Sequence, residues 1–283
     1  MTIDRGESQS LLHFIERNLD LAPRNLDEGM GTAYERAVID DYFRRLQAKY
    51  NVGTVLESPA DGVTGVPGIN SLEFARQGGS VWLANPSQRM LNSARSVWEW
   101  HGLIDRVRFA RCHADSLPFG DGAFDLVWNY CMFERFREPG PMLAEMKRVA
   151  RRYVLIMTQN AHTPGAAVHG LYHSVCGLEW DHGHREQMTF DALRTATGQQ
   201  GLRILEEGTL DVPPWLDTWD MPLRVTLSQA AALIGRKWEW KLESENNSKS
   251  NSSLLSFLSG VEANLPEWFR KFHAHHLYVL AQK

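Results

Sequence analysis

The stretch ARCHADSLPFGDGAFDLVWNYCMF at residues 110–133 decides the fold of this chain. Within it, residues 124–129 form an apolar run with the length of a buried parallel strand. The sequence that follows, EPGPMLAEMKRVARRYVLIM at 138–157, predicts a helix over 139–149 and a second apolar strand over 153–157. Strand, helix and strand at this spacing are typical of a βα unit in a parallel sheet.

The same alternation extends to both sides of this stretch. Apolar runs predict five further strands, at 52–56, 80–84, 107–111, 202–208 and 277–281. Helices are predicted between them, over 69–77, from Pro86-Ser87 onward and over 189–199. The chain is therefore predicted to have an α/β fold with a doubly wound, mostly parallel, seven-stranded sheet.

Composition shifts along the chain predict three parts. Residues 1–50 are predicted to be an N-terminal helical lid, and residues 51–160 an α/β core, in which the carboxyl ends of the strands are where such a sheet would bind a cofactor. Residues 161–283 supply the remaining strands together with insertions that cap the site. Residues 161–188 are rich in His, Gly and Trp without a clear period, and the polar run at 243–253 is predicted to be a mobile loop.

Composition also excludes several functions. The 30 basic and 34 acidic residues give a net charge of −4, and no Lys/Arg run is present, so a nucleic-acid partner is not predicted. The N-terminus lacks the features of a secretory signal, and no apolar run approaches the roughly 20 residues of a membrane helix, so no membrane partner is predicted. Three cysteines without CxxC spacing indicate a reducing compartment, and the predicted location is cytoplasmic.

Four stretches, in order, resemble the class I S-adenosylmethionine-dependent methyltransferases that act on small molecules. They are VLESPADGVTGVPG at 55–68, VWLANPSQRMLNSAR at 81–95, the stretch 110–133 and the Asn129–Cys131 end of its strand. In the third, LPF followed by a DG turn and FDLV is a recurrent signature of these enzymes. The resemblance covers about residues 52–160 and implies a Rossmann-like methyltransferase sheet with S-adenosylmethionine as cofactor.

The first stretch is expected to hold the amino-acid end of the cofactor. Glu57 takes the family's acidic position at the end of the first strand. The loop after it is longer than the family's and offers Asp61, Gly62, Gly65 and Gly68 as cofactor-binding candidates. Glycine suits positions where the backbone must approach a ligand or take a positive φ. A loop that only turns the chain is the alternative.

The second stretch is expected to hold the cofactor ribose. Asn85, with Pro86 after it, occupies the position where the family has an acid. An amide accepts a hydrogen bond from one hydroxyl and donates to another, so it suits two ribose hydroxyls. Capping of the following helix, by Asn85 or by Ser87, is the alternative.

The third and fourth stretches are expected to contact the adenine and the reacting methyl group. His113 aligns with the acid that meets the adenine amino group, but Asp115 is favoured for that role, with Ala114 contributing its backbone. At the end of the fourth strand, Asn129 and Tyr130 are expected to face the sulfonium and the substrate. Tyr130 is a candidate to orient either one by a cation–π contact or a hydrogen bond. A packed aromatic is the alternative for that side chain.

Two further segments are candidates for covering the site. Tyr34, in GTAYER, is predicted to close over the methionine end of the cofactor. In EWDHGHRE, His182 or His184 is predicted to act as general base because an imidazole titrates near neutral pH. A metal is not predicted, since the spacing of these two histidines and Glu186 fits no established zinc pattern. Structural or exposed histidines are the alternative.

The predicted function is transfer of a methyl group from S-adenosylmethionine to a small aromatic or apolar molecule. Six tryptophans beyond residue 160 favour such a substrate. The alternatives are an enzyme that uses the same cofactor without transferring methyl and a non-catalytic binding protein with this fold. A dinucleotide oxidoreductase is disfavoured because no GxGxxG follows the first strand. The sequence leaves a monomer and a homodimer as alternatives.

Overall fold

The computed structural model describes residues 11–13, 15, 30–60, 68–212, 255 and 257–283. The four tryptophans between 213 and 254 and the predicted loop at 243–253 lie outside the described residues, as do most of residues 1–29 of the predicted N-terminal lid. Among the described residues, every helix is too short or too polar to cross a membrane.

Helices and strands alternate along the described chain. The helices are α1 (Met30–Tyr50), α2 (Leu72–Arg76), α3 (Gln88–Trp100), α4 (Gly140–Val149), α5 (Pro164–Cys176), α6 (Phe190–Gln199) and α7 (Glu267–His273). The strands are β1 (Thr54–Glu57), β2 (Ser80–Asn85), β3 (Val107–Arg111), β4 (Phe124–Tyr130), β5 (Ala150–Gln159), β6 (Arg203–Leu210) and β7 (His276–Gln282). All seven predicted strands are present, with ends shifted by a few residues.

The strands form one sheet of order β3-β2-β1-β4-β5-β7-β6. β1 pairs in parallel with both β2 and β4, and β7 runs antiparallel between β5 and β6. Every residue of β4 is buried, as expected for a central strand covered on both faces. The predicted seven-stranded, mostly parallel sheet is confirmed.

Large aromatic side chains join the sheet to the helices on one face. The ring of Trp128, on β4, lies 4.8 Å from that of Phe43 on α1, and Phe43 lies 4.4 Å from Phe74 on α2. All three side chains are fully buried. Burial of each stabilises the fold by roughly 1.5–3 kcal/mol or more, so α1 is firmly attached to this face of the sheet.

The carboxyl edge of the sheet gathers the ends of the five parallel strands and the start of antiparallel β7. β1, β2 and β4 end there at Glu57, Asn85 and Tyr130. His276, the first residue of β7, lies opposite Gln159 at the end of β5. In an open α/β sheet ligands bind outside this edge, so it is the candidate site.

The helix α5 lies in the segment 161–188, where the sequence pattern indicated no regular structure. Its buried positions include His169 and His173, whereas Leu171 and Val175 are 65% and 77% exposed. This is the reverse of an ordinary amphipathic helix, so hydrophobic periodicity does not reveal it.

Candidate functional site

Glu57 ends β1 in a fully buried position. Its carboxylate accepts a hydrogen bond of 2.5 Å from the Ser71 hydroxyl, and that hydroxyl accepts one of 3.2 Å from the Trp128 indole. Ser71 lies just beyond the loop that the resemblance assigns to the cofactor. Glu57 therefore links the two ends of this loop, whatever it contacts in a complex.

Gly68 is the described glycine of that loop, and Asp61, Gly62 and Gly65 lie outside the described residues. The φ of Gly68 is +68°, and a Cβ at this position would lie 2.5 Å from Leu83 Cδ1. Its carbonyl accepts a hydrogen bond of 3.1 Å from the Trp98 indole. Only glycine combines this conformation with this close packing.

Asn85 ends β2 and is also fully buried. Its Nδ2 donates to the Ala60 carbonyl at 2.6 Å, and its Oδ1 accepts from the Ser87 backbone N–H at 2.7 Å. Ser87 is the N-cap of α3 and accepts from the Met90 N–H. The Asn85 amide thus connects the loop after β1 to the start of α3, and Pro86, which lies between Asn85 and Ser87, is buried. The amide retains one N–H and one oxygen lone pair for a further partner.

The three adenine candidates lie in a tight turn after β3. The His113 carbonyl accepts a hydrogen bond of 3.2 Å from the Ser116 N–H. Ala114 is buried, Asp115 is half-buried and His113 is exposed. Asp115 and the backbone of Ala114 are therefore nearer the interior than the His113 side chain.

Asn129 and Tyr130 point to opposite faces of the sheet. The Asn129 amide lies against α4, with its Nδ2 3.4 Å from the Met146 sulfur. Among the described residues its buried Oδ1 has no hydrogen-bond partner. The Tyr130 side chain instead extends toward α1, so of the two it is the one that reaches the site beneath that helix.

Tyr130 joins three elements at the carboxyl edge. Its hydroxyl contacts the carboxylate of Glu35 on α1 and lies 2.8 Å from Nε2 of His276 on β7. The Glu35 carboxylate lies 3.5 Å from the same His276 nitrogen. A carboxylate, a phenol and an imidazole thus share one largely buried hydrogen-bonded group, which we call the Tyr130 cluster.

Charge in and beside the Tyr130 cluster favours a protonated His276. Burial by itself lowers the pKa of His276, but the nearby carboxylates of Glu35 and Asp211 outweigh it and the net pKa is raised. Asp211 is buried, and its Oδ2 lies 2.7 Å from His275 Nδ1. Its other oxygen, Oδ1, has no hydrogen-bond partner among the described residues. The cluster is therefore bordered by buried negative charge.

Tyr34 is buried next to this cluster and is tied to the C-terminal part of the chain. Its hydroxyl contacts the Glu262 carboxylate, which also accepts from the Val212 N–H at 2.9 Å. Burial, followed by the Glu262 charge, holds the pKa of Tyr34 far above its ordinary value. The Tyr34 hydroxyl is thus attached to the C-terminal part of the chain through the Glu262 carboxylate and, at 3.5 Å, the Leu258 carbonyl.

The two histidines proposed as bases lie in the loop after α5. The His184 backbone N–H donates to the Glu134 carbonyl at 2.7 Å, and Glu134 in turn accepts from the Thr158 hydroxyl near the end of β5. The loop is therefore fixed against the carboxyl edge. His182 contacts His169 at 2.9 Å between their Nε2 atoms and belongs to a separate histidine group.

Four residues of the edge were not among the sequence candidates: Glu35, Asp211, Glu262 and His276. Glu35 is adjacent to the candidate Tyr34, and His276 is the first residue of a strand whose presence the sequence did predict. Nothing local marks an acid or a histidine whose partners lie 50 or more residues away in the sequence.

A seven-stranded sheet of this order, with an antiparallel β7 and its polar residues at the carboxyl edge, defines the class I methyltransferase fold. Residues 63–157 match the family model described as "Methyltransferase domain". The chain thus has the class I methyltransferase fold and matches the methyltransferase domain family over residues 63–157, as its motifs predicted.

Curated relatives and solved structures are similar to this chain over different spans. The ubiquinone/menaquinone biosynthesis C-methyltransferase UbiE of Stenotrophomonas maltophilia is 29% identical over 143 residues, 48% of this chain and 51% of the relative. The chain therefore matches about half the length of such relatives. A SAM-dependent methyltransferase from Thermotoga maritima aligns with a TM-score of 0.55 at 12% identity, covering 96% of this chain and 99% of the other. The MccD protein aligns with a TM-score of 0.53 at 12% identity, covering 87% of this chain and 96% of the other. These two structures support the fold alone.

Proposed function

We propose that this protein transfers a methyl group from S-adenosylmethionine to a small molecule of aromatic or apolar character. The observation that carries the proposal is the Tyr130 cluster, because it combines a proton acceptor with a hydrogen-bonding phenol where this fold binds ligands. The methyltransferase domain at 63–157 supports the choice of cofactor.

The residues at the edge fit this cofactor. Asn85 keeps one N–H and one lone pair for the ribose hydroxyls. Glu35 contacts the Tyr130 hydroxyl, and the Asp211 carboxylate lies within 4.8 Å of the ligand atoms of Glu35 and His276. Two carboxylates beside one His276 imidazolium leave net negative charge, which favours a cationic sulfonium nearby. The bound cofactor would supply an electrophilic methyl group for in-line displacement.

The Tyr130 cluster would handle the proton that the acceptor releases. Because the pKa of His276 is raised, its imidazole is a hydrogen-bond donor and a poor base near neutral pH. The Glu35 carboxylate is then the acceptor, taking a proton directly or through the Tyr130 hydroxyl. His182 and His184 stay as alternative bases from the neighbouring loop.

The first test is calorimetric titration of the full chain with S-adenosylmethionine and with S-adenosylhomocysteine. Micromolar binding that weakens in Asn85→Ala supports the proposed cofactor site. No binding of either ligand to the folded protein would overturn the proposal. Binding without release of S-adenosylhomocysteine, over a panel of phenols, quinols and aromatic amines, would favour a role other than methyl transfer.

The second test separates Tyr130 from an ordinary buried tyrosine. Tyr130→Phe should lower turnover by about 10²-fold or more if the hydroxyl relays the proton. Tyr42→Phe is the matched control, because the Tyr42 hydroxyl is buried without a hydrogen-bond partner in the described part of the chain. Equal turnover in the two variants would exclude the relay.

A further inference from the structure

Three histidines from two neighbouring segments meet beside the carboxyl edge. His169 and His173 lie on α5, and His182 lies in the loop that follows. One ring nitrogen of each lies within 4.8 Å of the others, and the Nε2 atoms of His169 and His182 are 2.9 Å apart. His169 is fully buried, and the other two are largely so. We call these three residues the histidine triad.

The spacing on α5 has a direct consequence. Residues four apart lie on the same face of a helix, so His169 and His173 present their rings side by side, with centroids 4.6 Å apart. The same i, i+4 arrangement supplies two ligands in helical zinc sites. The loop then returns over this face and adds His182 as a third nitrogen donor.

One histidine of the triad is oriented as a metal ligand would be. The His173 Nδ1 lies 2.8 Å from the Glu179 carbonyl, which can only accept a hydrogen bond. Nδ1 is therefore protonated, and the lone pair of the imidazole is on Nε2. Metal-bound histidines commonly donate their second N–H to a backbone carbonyl in this way, and the bond fixes the tautomer that binds metal.

The surroundings hold the triad in place. The Trp180 ring packs against all three histidines, with centroids 4.9–5.6 Å away, and the Arg185 guanidinium lies 3.7 Å from the same ring. Asp181 places a carboxylate oxygen 3.4 Å from His182 Nε2, and the Asp181 carbonyl accepts from Arg135. An acid is thus available as a fourth ligand or an outer partner.

We propose that His169, His173 and His182 bind a divalent transition metal, with Zn²⁺ as the best match. Three neutral imidazoles are a ligand set that Zn²⁺ accepts in tetrahedral geometry, with the fourth position left to water or to Asp181. The metal would attach the loop of residues 177–184 to α5, next to the turn after β4. This site does not depend on the proposed methyl transfer.

The test uses the full chain without an affinity tag, freed of metal by a chelator and dialysed. Titration with ZnCl₂ by calorimetry should give one equivalent of bound metal per chain. Co²⁺ in its place should give the intense visible absorption of a tetrahedral site, which adventitious surface binding does not produce. His182→Ala should weaken Zn²⁺ binding at least tenfold and abolish the Co²⁺ absorption.

Two variants complete the test. His162→Ala is the matched control, since His162 is an exposed histidine just before α5 and should leave both readouts unchanged. His173→Ala should weaken binding as His182→Ala does. Circular dichroism and the unfolding temperature identify a variant that fails to fold. His182 lies in a loop, so its variant is expected to stay folded.

Two results would overturn the proposal. The first is Zn²⁺ binding that is the same in the wild type, His182→Ala and His173→Ala. The second is the absence of both Zn²⁺ binding and the Co²⁺ absorption in the wild type. The triad would then be a hydrogen-bonded histidine group that packs the loop onto α5.

Discussion

Replacement of Gly68 by alanine tests whether close packing, in addition to the positive φ, requires glycine at this position of the loop after β1. At φ +68° an alanine costs about 1–2 kcal/mol more than glycine because its Cβ crowds the following carbonyl. The new methyl would also lie 2.5 Å from Leu83 Cδ1 and 3.3 Å from Ala94 Cβ, so the buried Leu83 must move. Overpacking of this kind costs about 1–3 kcal/mol.

The two contributions together predict a loss of about 2–5 kcal/mol in the free energy of unfolding. Gly102→Ala is the matched control, since Gly102 has φ +67° and nothing within 4 Å of the added methyl. The free energy of unfolding of Gly102→Ala should fall only by the conformational cost of the positive φ, about 1–2 kcal/mol. The reduced chain entropy that alanine brings to the unfolded state is common to both variants and cancels in the comparison.

The assay is urea unfolding, followed by circular dichroism and tryptophan fluorescence. Gly68→Ala should be less stable than Gly102→Ala by about 1–3 kcal/mol. Equal losses would refute the packing argument and leave the positive φ, together with any cofactor contact, as the reason for glycine at this position. S-adenosylmethionine titration of Gly68→Ala must be carried out where the variant remains folded, because unfolding would imitate a loss of binding.

Three further predictions concern buried polar groups. Ser71→Ala should lower the free energy of unfolding in urea by about 1–3 kcal/mol, because it leaves Glu57 without this donor. Because the pKa of His276 is raised in the folded state, its pairing with Glu35 stabilises the fold at low pH, and this contribution is lost as the pH rises through the folded-state pKa. The free energy of unfolding should therefore decline above pH 6.5, and His276→Gln should remove that decline. The carboxyl of Asp125 shows the opposite dependence on pH. Burial raises its pKa, but hydrogen bonds from backbone N–H groups outweigh burial and lower it, so its contribution to stability is lost as the pH falls below 3.8. Asp125→Asn should therefore reduce the decline of the unfolding free energy in acid.

The strands and helix starts could be predicted because their signals are local. Phe124 to Asn129 is a mostly apolar run, interrupted only by Asp125 before its polar end, and Ser87 lies where a helix needs a cap. Each element therefore follows from a few adjacent residues. The helix α5 could not be predicted in this way. Its buried face carries histidines, and the pattern that marks a helix is reversed there.

The residues of the candidate site likewise include some that the sequence predicted and some that it did not. The sequence identified Tyr130 and Tyr34 from their positions relative to a strand and a helix, and these residues do lie at the carboxyl edge. It did not identify Glu35 and His276 as their neighbours, and it compared His182 with His184 rather than with the histidines of α5. The contacts of Tyr130 depend on which strand and helix pack beside it, and the His182 contact depends on the helix α5, which the sequence pattern did not predict.

The sequence by itself determined the class of fold and the positions of its motifs, because apolar periodicity, caps and turn residues act over a few residues. Only the tertiary structure decided which side chains share a site. The antiparallel insertion of β7 beside β5 brings His276 to Tyr130, and the packing of α1 across the edge adds Glu35. Such contacts join distant parts of the chain through sheet order and register, and no short stretch of sequence encodes that pairing.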